Sequence, residues 1–270
     1  MDASNALMAL GLTLFAGLCT GIGSALAFFT RRTNTRFLSI SLGFSAGVMI
    51  YISMTEIMFK AREALVPVYG SRGGMMLTVL SFFGGMLLIA LIDKLVPGFE
   101  NPHEPHMIEE LCQNSCSEKD KRLLRMGLFS AIAIAIHNFP EGLATFTAAL
   151  KDPKIGVSIA IAVAIHNIPE GIAVSVPVYH ATGSRKRAFI MSFLSGLSEP
   201  AGALIGFFVL LRFFNDAVYG VLFAAVAGIM VFISLDELLP ASREYGEHHL
   251  SMYGIVGGMI VMAASLVLFS

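Results

Sequence analysis

Ala135-Ile136-His137-Asn138-Phe139-Pro140-Glu141-Gly142 returns almost unchanged as Ala164-Ile165-His166-Asn167-Ile168-Pro169-Glu170-Gly171. Each copy sits inside a long apolar segment. On a helix, residues three and four apart share a face, so His137, Asn138 and Glu141 project together, and so do His166, Asn167 and Glu170. Two such faces turned toward each other gather two imidazoles, two carboxylates and two amide oxygens, a donor set suited to a divalent transition metal. Pro140 and Pro169 lack the N–H that would reach back one turn, which predicts a kink at each motif and a freed backbone carbonyl. In a membrane, irregular backbone survives only where it is buried in protein or lines a wet cavity. One copy alone reads equally well as a kinked helix with a buried His–Glu hydrogen bond. Two copies at matching depth read as a functional centre.

The setting of these motifs is a membrane. Of 270 residues, 56% are hydrophobic and only 14% charged, against about a quarter charged in soluble domains. Mean hydropathy is +0.75. Apolar runs long enough to cross a bilayer recur along the chain, which predicts an all-α polytopic membrane protein. We read it as a single membrane-embedded domain over 1–270 with eight crossings, near 5–29, 36–59, 73–96, 125–150, 155–179, 188–212, 217–239 and 250–270. The breaks between them are polar or basic, among them Arg31-Arg32-Thr33-Asn34, Lys60 to Arg72 and Gly183-Ser184-Arg185-Lys186-Arg187. If the crossings alternate, one side collects 12 of the 18 Lys and Arg residues, Arg31, Lys94, Arg125, Arg185 and Arg243 among them, and the other collects 6, including Lys60 and Arg72. The richer side is cytoplasmic by the positive-inside rule, which puts both termini outside.

Depth then selects the acids. His137 lies about 18 Å along the fourth segment and His166 about 16 Å along the fifth, both near the bilayer centre. The sixth segment reads Phe193-Leu194-Ser195-Gly196-Leu197-Ser198-Glu199-Pro200, and Glu199 is also about 16 Å along. An ionised acid at that depth costs about 2.5–3.5 kcal/mol on insertion scales. A divalent cation removes most of that cost, since two neutral imidazoles, two carboxylates and one doubly charged metal sum to zero. Glu56 near the outer end of the second segment, and Asp236 and Glu237 near the inner end of the seventh, mark a possible route or snorkel to water.

Other features point away from other functions. There is no basic patch with interleaved aromatics and no Gly-rich phosphate loop, so nucleic acid is not an expected partner. Cys19 reads as a small apolar helix residue. The long loop 97–121 carries His103, His106, Cys112 and Cys116; it reads as a solvated linker or as a loose cytoplasmic metal-catching segment. Fifteen methionines are not clustered as a thioether path for Cu(I) would require. A membrane-embedded metalloenzyme is the alternative reading. Its known signatures, Glu-x-x-His on two helices or His-Glu-x-x-His, do not occur. A purely structural metal in a receptor or scaffold is a third.

The tandem motifs in the fourth and fifth of eight helices, followed by Ser198-Glu199-Pro200 in the sixth, resemble the ZIP family of divalent-metal permeases over the whole chain. The resemblance implies a bundle of eight helices, commonly dimeric, with a binuclear centre between helices four and five and an elevator-like movement of one helix bundle. By that resemblance His137, Glu141, His166 and Glu170 make one metal site. Asn138, Asn167 and Glu199 make the other, with Glu141 and Glu170 bridging. It further implies a multi-pass importer in the bacterial inner membrane rather than an enzyme. Zinc is the foremost cargo, iron, manganese and cobalt are others, and there is no resident cofactor.

Overall fold

The computed structural model describes residues 3–25, 28–29, 34–95, 118–151, 153–205, 208, 215–244 and 248–269. The loop carrying His103, His106, Cys112 and Cys116, and the basic pair Arg31-Arg32, lie outside the described residues. What is described is all helical: α1 (Ala3–Ala25), α2 (Thr35–Ile52), α3 (Met58–Leu95), α4 (Glu118–Lys151), α5 (Pro153–Thr182), α6 (Arg185–Gly196), α7 (Ser198–Ile205), α8 (Asp216–Ile233), α9 (Leu239–Glu244) and α10 (His248–Phe269). Two π-helical turns, Ser53–Ile57 and Ser234–Leu238, join α2 to α3 and α8 to α9.

Among the described residues, seven helical stretches are long and apolar enough to cross a membrane. One of them, Thr35–Lys94, is 60 residues long, far more than the roughly 20 a bilayer needs. It reverses at Gly70, whose φ of 75° and ψ of 167° break the helix in a region where a side chain is strained. A Cβ on Gly74 would stand 2.6 Å from the Cα of Val66, although eight residues along a straight helix are about 12 Å apart. The expected polar break from Lys60 to Arg72 is therefore helical except at Gly70. Likewise α4 begins at Glu118, several residues ahead of the apolar boundary. Charge marks where a helix leaves the apolar layer, and Lys, Arg and Glu extend helices well.

Small residues fix which helices meet. Virtual Cβ atoms on Gly43 and Gly47 of α2 would strike the α10 backbone at Ser251 and Ile255, and those on Gly85 and Gly228 show the same closeness between α3 and α8. At the centre, Gly23 and Gly171 press α1 against α5, while Gly142 and Gly202 press α4 against α7. Backbones this close gain dispersion contacts that replace the missing hydrophobic drive in lipid. The α5 stretch Ile159–Thr182 is the most enclosed, 76% of its apolar window being buried, against 33% for α10. Serine hydroxyls cross-link the centre: Ser24 donates to Ser192 (2.7 Å), Ser192 to the Gly171 carbonyl (2.9 Å) and Ser45 to the Pro169 carbonyl (2.7 Å).

The two π turns belong to an internal repeat that the motif-by-motif reading did not find. Gly47-Val48-Met49-Ile50-Tyr51-Ile52-Ser53-Met54-Thr55-Glu56-Ile57 matches Gly228-Ile229-Met230-Val231-Phe232-Ile233-Ser234-Leu235-Asp236-Glu237-Leu238 position by position. The helix caps repeat at the same offset: Asn34 accepts from the Phe37 N–H and Asn215 from the Val218 N–H, each at 3.0 Å. In both copies the serine hydroxyl takes the carbonyl one turn back, Ser53 to Met49 (2.6 Å) and Ser234 to Met230 (2.8 Å). Such back-bonding competes with the backbone ladder, and the helix widens there.

Candidate metal centre

Both motif helices stay helical across Pro140 and Pro169, each of which withholds an N–H from the carbonyl one turn back. The helices present their polar faces to each other, but the pairing is crosswise. His137 Nε2 of α4 lies 2.8 Å from Glu170 Oε1 of α5, and His166 Nε2 of α5 lies 2.9 Å from Glu141 Oε1 of α4. One donor atom each from His137, Glu141 and Glu170 fall within 4.8 Å of one another. Asn138, turned to donate, reaches Glu170 Oε2 at 3.2 Å and His137 Nε2 at 2.9 Å. Asn167 Nδ2 donates to Glu199 Oε2 (2.7 Å) and to the Ala16 carbonyl of α1 (2.8 Å). All seven residues singled out by sequence are buried; the contacts join His137, Asn138, Glu141, His166 and Glu170 into one cluster and Asn167 with Glu199 into a second pair.

The sixth predicted segment is divided. Helix α6 ends at Gly196, Leu197 turns, and Glu199 stands in the first turn of α7. A helix N-terminus carries partial positive charge, which favours a carboxylate there. The sequence reading gave no role to α1, yet its Ala16 carbonyl holds Asn167 and its Thr20 carbonyl faces Gly171. The signal available was the close run of small residues Gly17, Thr20, Gly21 and Gly23, which reports packing rather than chemistry.

The hydrogen bonds constrain the donor set. His137 Nδ1 lies 3.1 Å from the Ala133 carbonyl, an acceptor, so Nδ1 carries the proton. In the neutral ring Nε2 is then a lone pair, and it faces a carboxylate oxygen that is also an acceptor. Two acceptors at that distance need a shared proton or a cation. Metal-bound histidines commonly fix their other nitrogen on a carbonyl in this way. Glu141 Oε2, Asn167 Oδ1 and Glu199 Oε1 are buried and have no hydrogen-bond partner among the described residues. Unpaired buried acceptors cost free energy, and three oxygens of this kind beside two imidazoles suit a divalent cation.

A buried polar cluster of this kind among long apolar helices marks a polytopic membrane protein with a candidate metal centre. The family described as ZIP Zinc transporter matches residues 95–266, and the chain belongs to that family. It is 63% identical over 267 residues to a protein named Zinc transporter ZupT from Chlorobium chlorochromatii (strain CaD3), covering 98% of this chain and 99% of that one. It is 62% identical over 264 residues to the protein of that name from Lysinibacillus sphaericus (strain C3-41), covering 98% of each. It is 63% identical over 258 residues to that from Streptococcus mutans serotype c (strain ATCC 700610 / UA159), covering 96% of each.

Proposed function

We propose that the chain imports zinc into the cytoplasm across the bacterial inner membrane, and that iron, manganese and cobalt are further cargo. The single observation that carries this reading is the group of partnerless buried oxygens on Glu141, Asn167 and Glu199 beside the crosswise His–Glu pairs. His137, Glu141, His166 and Glu170 hold one cation, and Asn138, Asn167 and Glu199 complete a second place with Glu141 and Glu170 as bridges. Imidazole suits zinc and iron, while the oxygen-rich place accepts harder ions. The metal is cargo, and no resident cofactor is needed. The zinc named for the relatives supports zinc as the first ion to test.

The same reading assigns eight crossings in one domain over 1–270. The 60-residue stretch supplies two of them, one on each side of Gly70. Lys94, Arg125 and Arg185 then lie on the cytoplasmic side with both termini outside, and the working unit in the bilayer is a homodimer. The metalloenzyme alternative has no observation in its favour.

The test is zinc uptake into proteoliposomes, with iron, manganese and cobalt as competitors. Chelator-sensitive uptake that saturates, and that the other ions reduce, is the expected result. Zinc binding without any flux would overturn the transport reading and leave a structural metal.

A further inference from the structure

The buried centre is not sealed on every side. A narrow cavity of about 30 Å³, close to one water's share of volume, touches Glu141 and His166. Glu56, Lys60, Thr145 and Tyr219 line the same cavity. His137, Asn138, Glu170 and Glu199 are not among its lining. The cavity therefore borders both the Glu56–Lys60 pair and the Glu141–His166 half of the centre.

A lysine is an odd residue to find on a cation's approach. Its position follows from the π turn, which ends at Ile57 and hands over to α3, so that Glu56 and Lys60 are one turn apart on the same face. Lys60 Nζ lies 2.7 Å from Glu56 Oε1, and each side chain is about a third exposed. The two charges cancel. Alone, Glu56 would give the mouth of a low-dielectric cleft a negative charge that concentrates cations. At the matching π turn the position of Lys60 is held by Ala241, so the tethered ammonium belongs to the Ser53–Ile57 copy.

We propose that Lys60 is a tethered counter-ion that competes with the incoming divalent cation for the Glu56 carboxylate, and so sets the concentration at which the cation enters the cavity. The inference rests on the transport reading above. A doubly charged ion displaces the ammonium from Glu56, and the freed lysine swings to water on its flexible stem. A singly charged ion has no such advantage over the ammonium. Lys60 is a positioning residue: it acts through Glu56 and does not touch the ion bound at Glu141 and His166.

The experiment measures initial zinc uptake in proteoliposomes against zinc concentration for the native protein, Lys60→Gln and Lys60→Arg. An exposed ion pair one turn apart on a helix is weak, so removing the competitor should lower the apparent KM by about two- to five-fold. The maximal rate should stay within the scatter of the native protein, because the centre is unchanged. Lys60→Arg should restore the native KM, which a merely structural lysine would not require. Raising the salt concentration should shrink the difference, because exposed charges are screened. An unchanged or raised KM in Lys60→Gln, with native uptake intact, overturns the inference and leaves the transport reading standing. A lowered KM in Lys60→Arg as well overturns it too, since charge would then be irrelevant. Absence of zinc uptake in the native protein defeats both.

Discussion

The two copies of His-Asn-x-Pro-Glu-Gly are nearly identical in sequence and unlike in surroundings. In the α5 copy, Glu170 is fully buried and both its oxygens are engaged, one by His137 and one by Asn138. In the α4 copy, Glu141 meets His166 through one oxygen, while the other has no partner among the described residues and the side chain borders the cavity. The asparagines differ as well. Asn138 is drawn into its own histidine and Glu170, whereas Asn167 is tied to α1 and to Glu199. The cause is the helix each copy packs on: Gly171 lies against Thr20 and Gly142 against Glu199. A duplicated motif thus holds one glutamate with both oxygens engaged and one with an unpartnered oxygen beside the cavity.

Removing each glutamate tests that division most strongly. Both Glu141→Ala and Glu170→Ala should reduce zinc flux at least tenfold, measured in proteoliposomes. Glu170→Ala should also unfold more easily in detergent than Glu141→Ala, since it takes a partner from both His137 and Asn138 rather than from His166 alone, each lost partner costing about 1–3 kcal/mol. Equal thermal stability of the two variants would erase the distinction between the halves, and near-native flux in both would remove the centre itself.

A smaller effect is expected from protons. A histidine takes a cation only in its neutral form, and imidazole titrates in water near about 6.5. Zinc affinity should therefore fall as pH drops from about 8 to 5.5, by about tenfold per unit for each proton that must leave. In His166→Gln one of those protons is gone, so the dependence should flatten while His137 still contributes. Parallel curves for the native and variant proteins would mean that His166 does not ligate.

The asparagines should give the smallest change. Asn167→Ala should lower iron or manganese flux relative to zinc by a few-fold, because it takes one oxygen from the harder place and releases Glu199. Asn138→Ala should leave that ratio closer to native. Competition uptake with paired ions reads the ratio directly, and the same shift in both variants would argue against two different places.

Much of this was legible before any coordinates. The doubled motif supplies six of the seven buried candidate residues, and depth along the sixth segment adds Glu199. The repeat around Ser53 and Ser234 was equally present in the sequence. Its acids, taken singly, stand at the membrane edge, where a snorkelling carboxylate is the ordinary case, and only the packed helices set the two copies side by side for comparison. The division between α6 and α7 was hidden because hydropathy does not register one turn of broken backbone.

The sequence by itself determined an all-helical membrane protein with a metal-type donor set inside its apolar segments. Both conclusions are local: bilayer thickness fixes how long an apolar run must be, and the helical period fixes which side chains share a face. Only the tertiary structure decided that each histidine meets the other helix's glutamate, that α1 enters the centre through a backbone carbonyl, and that Lys60 and Glu56 share a cavity with Glu141 and His166. Those outcomes depend on which helix faces which, and at what register. Here the register is set by glycines that let one backbone rest on another, so it becomes visible only once the helices are packed.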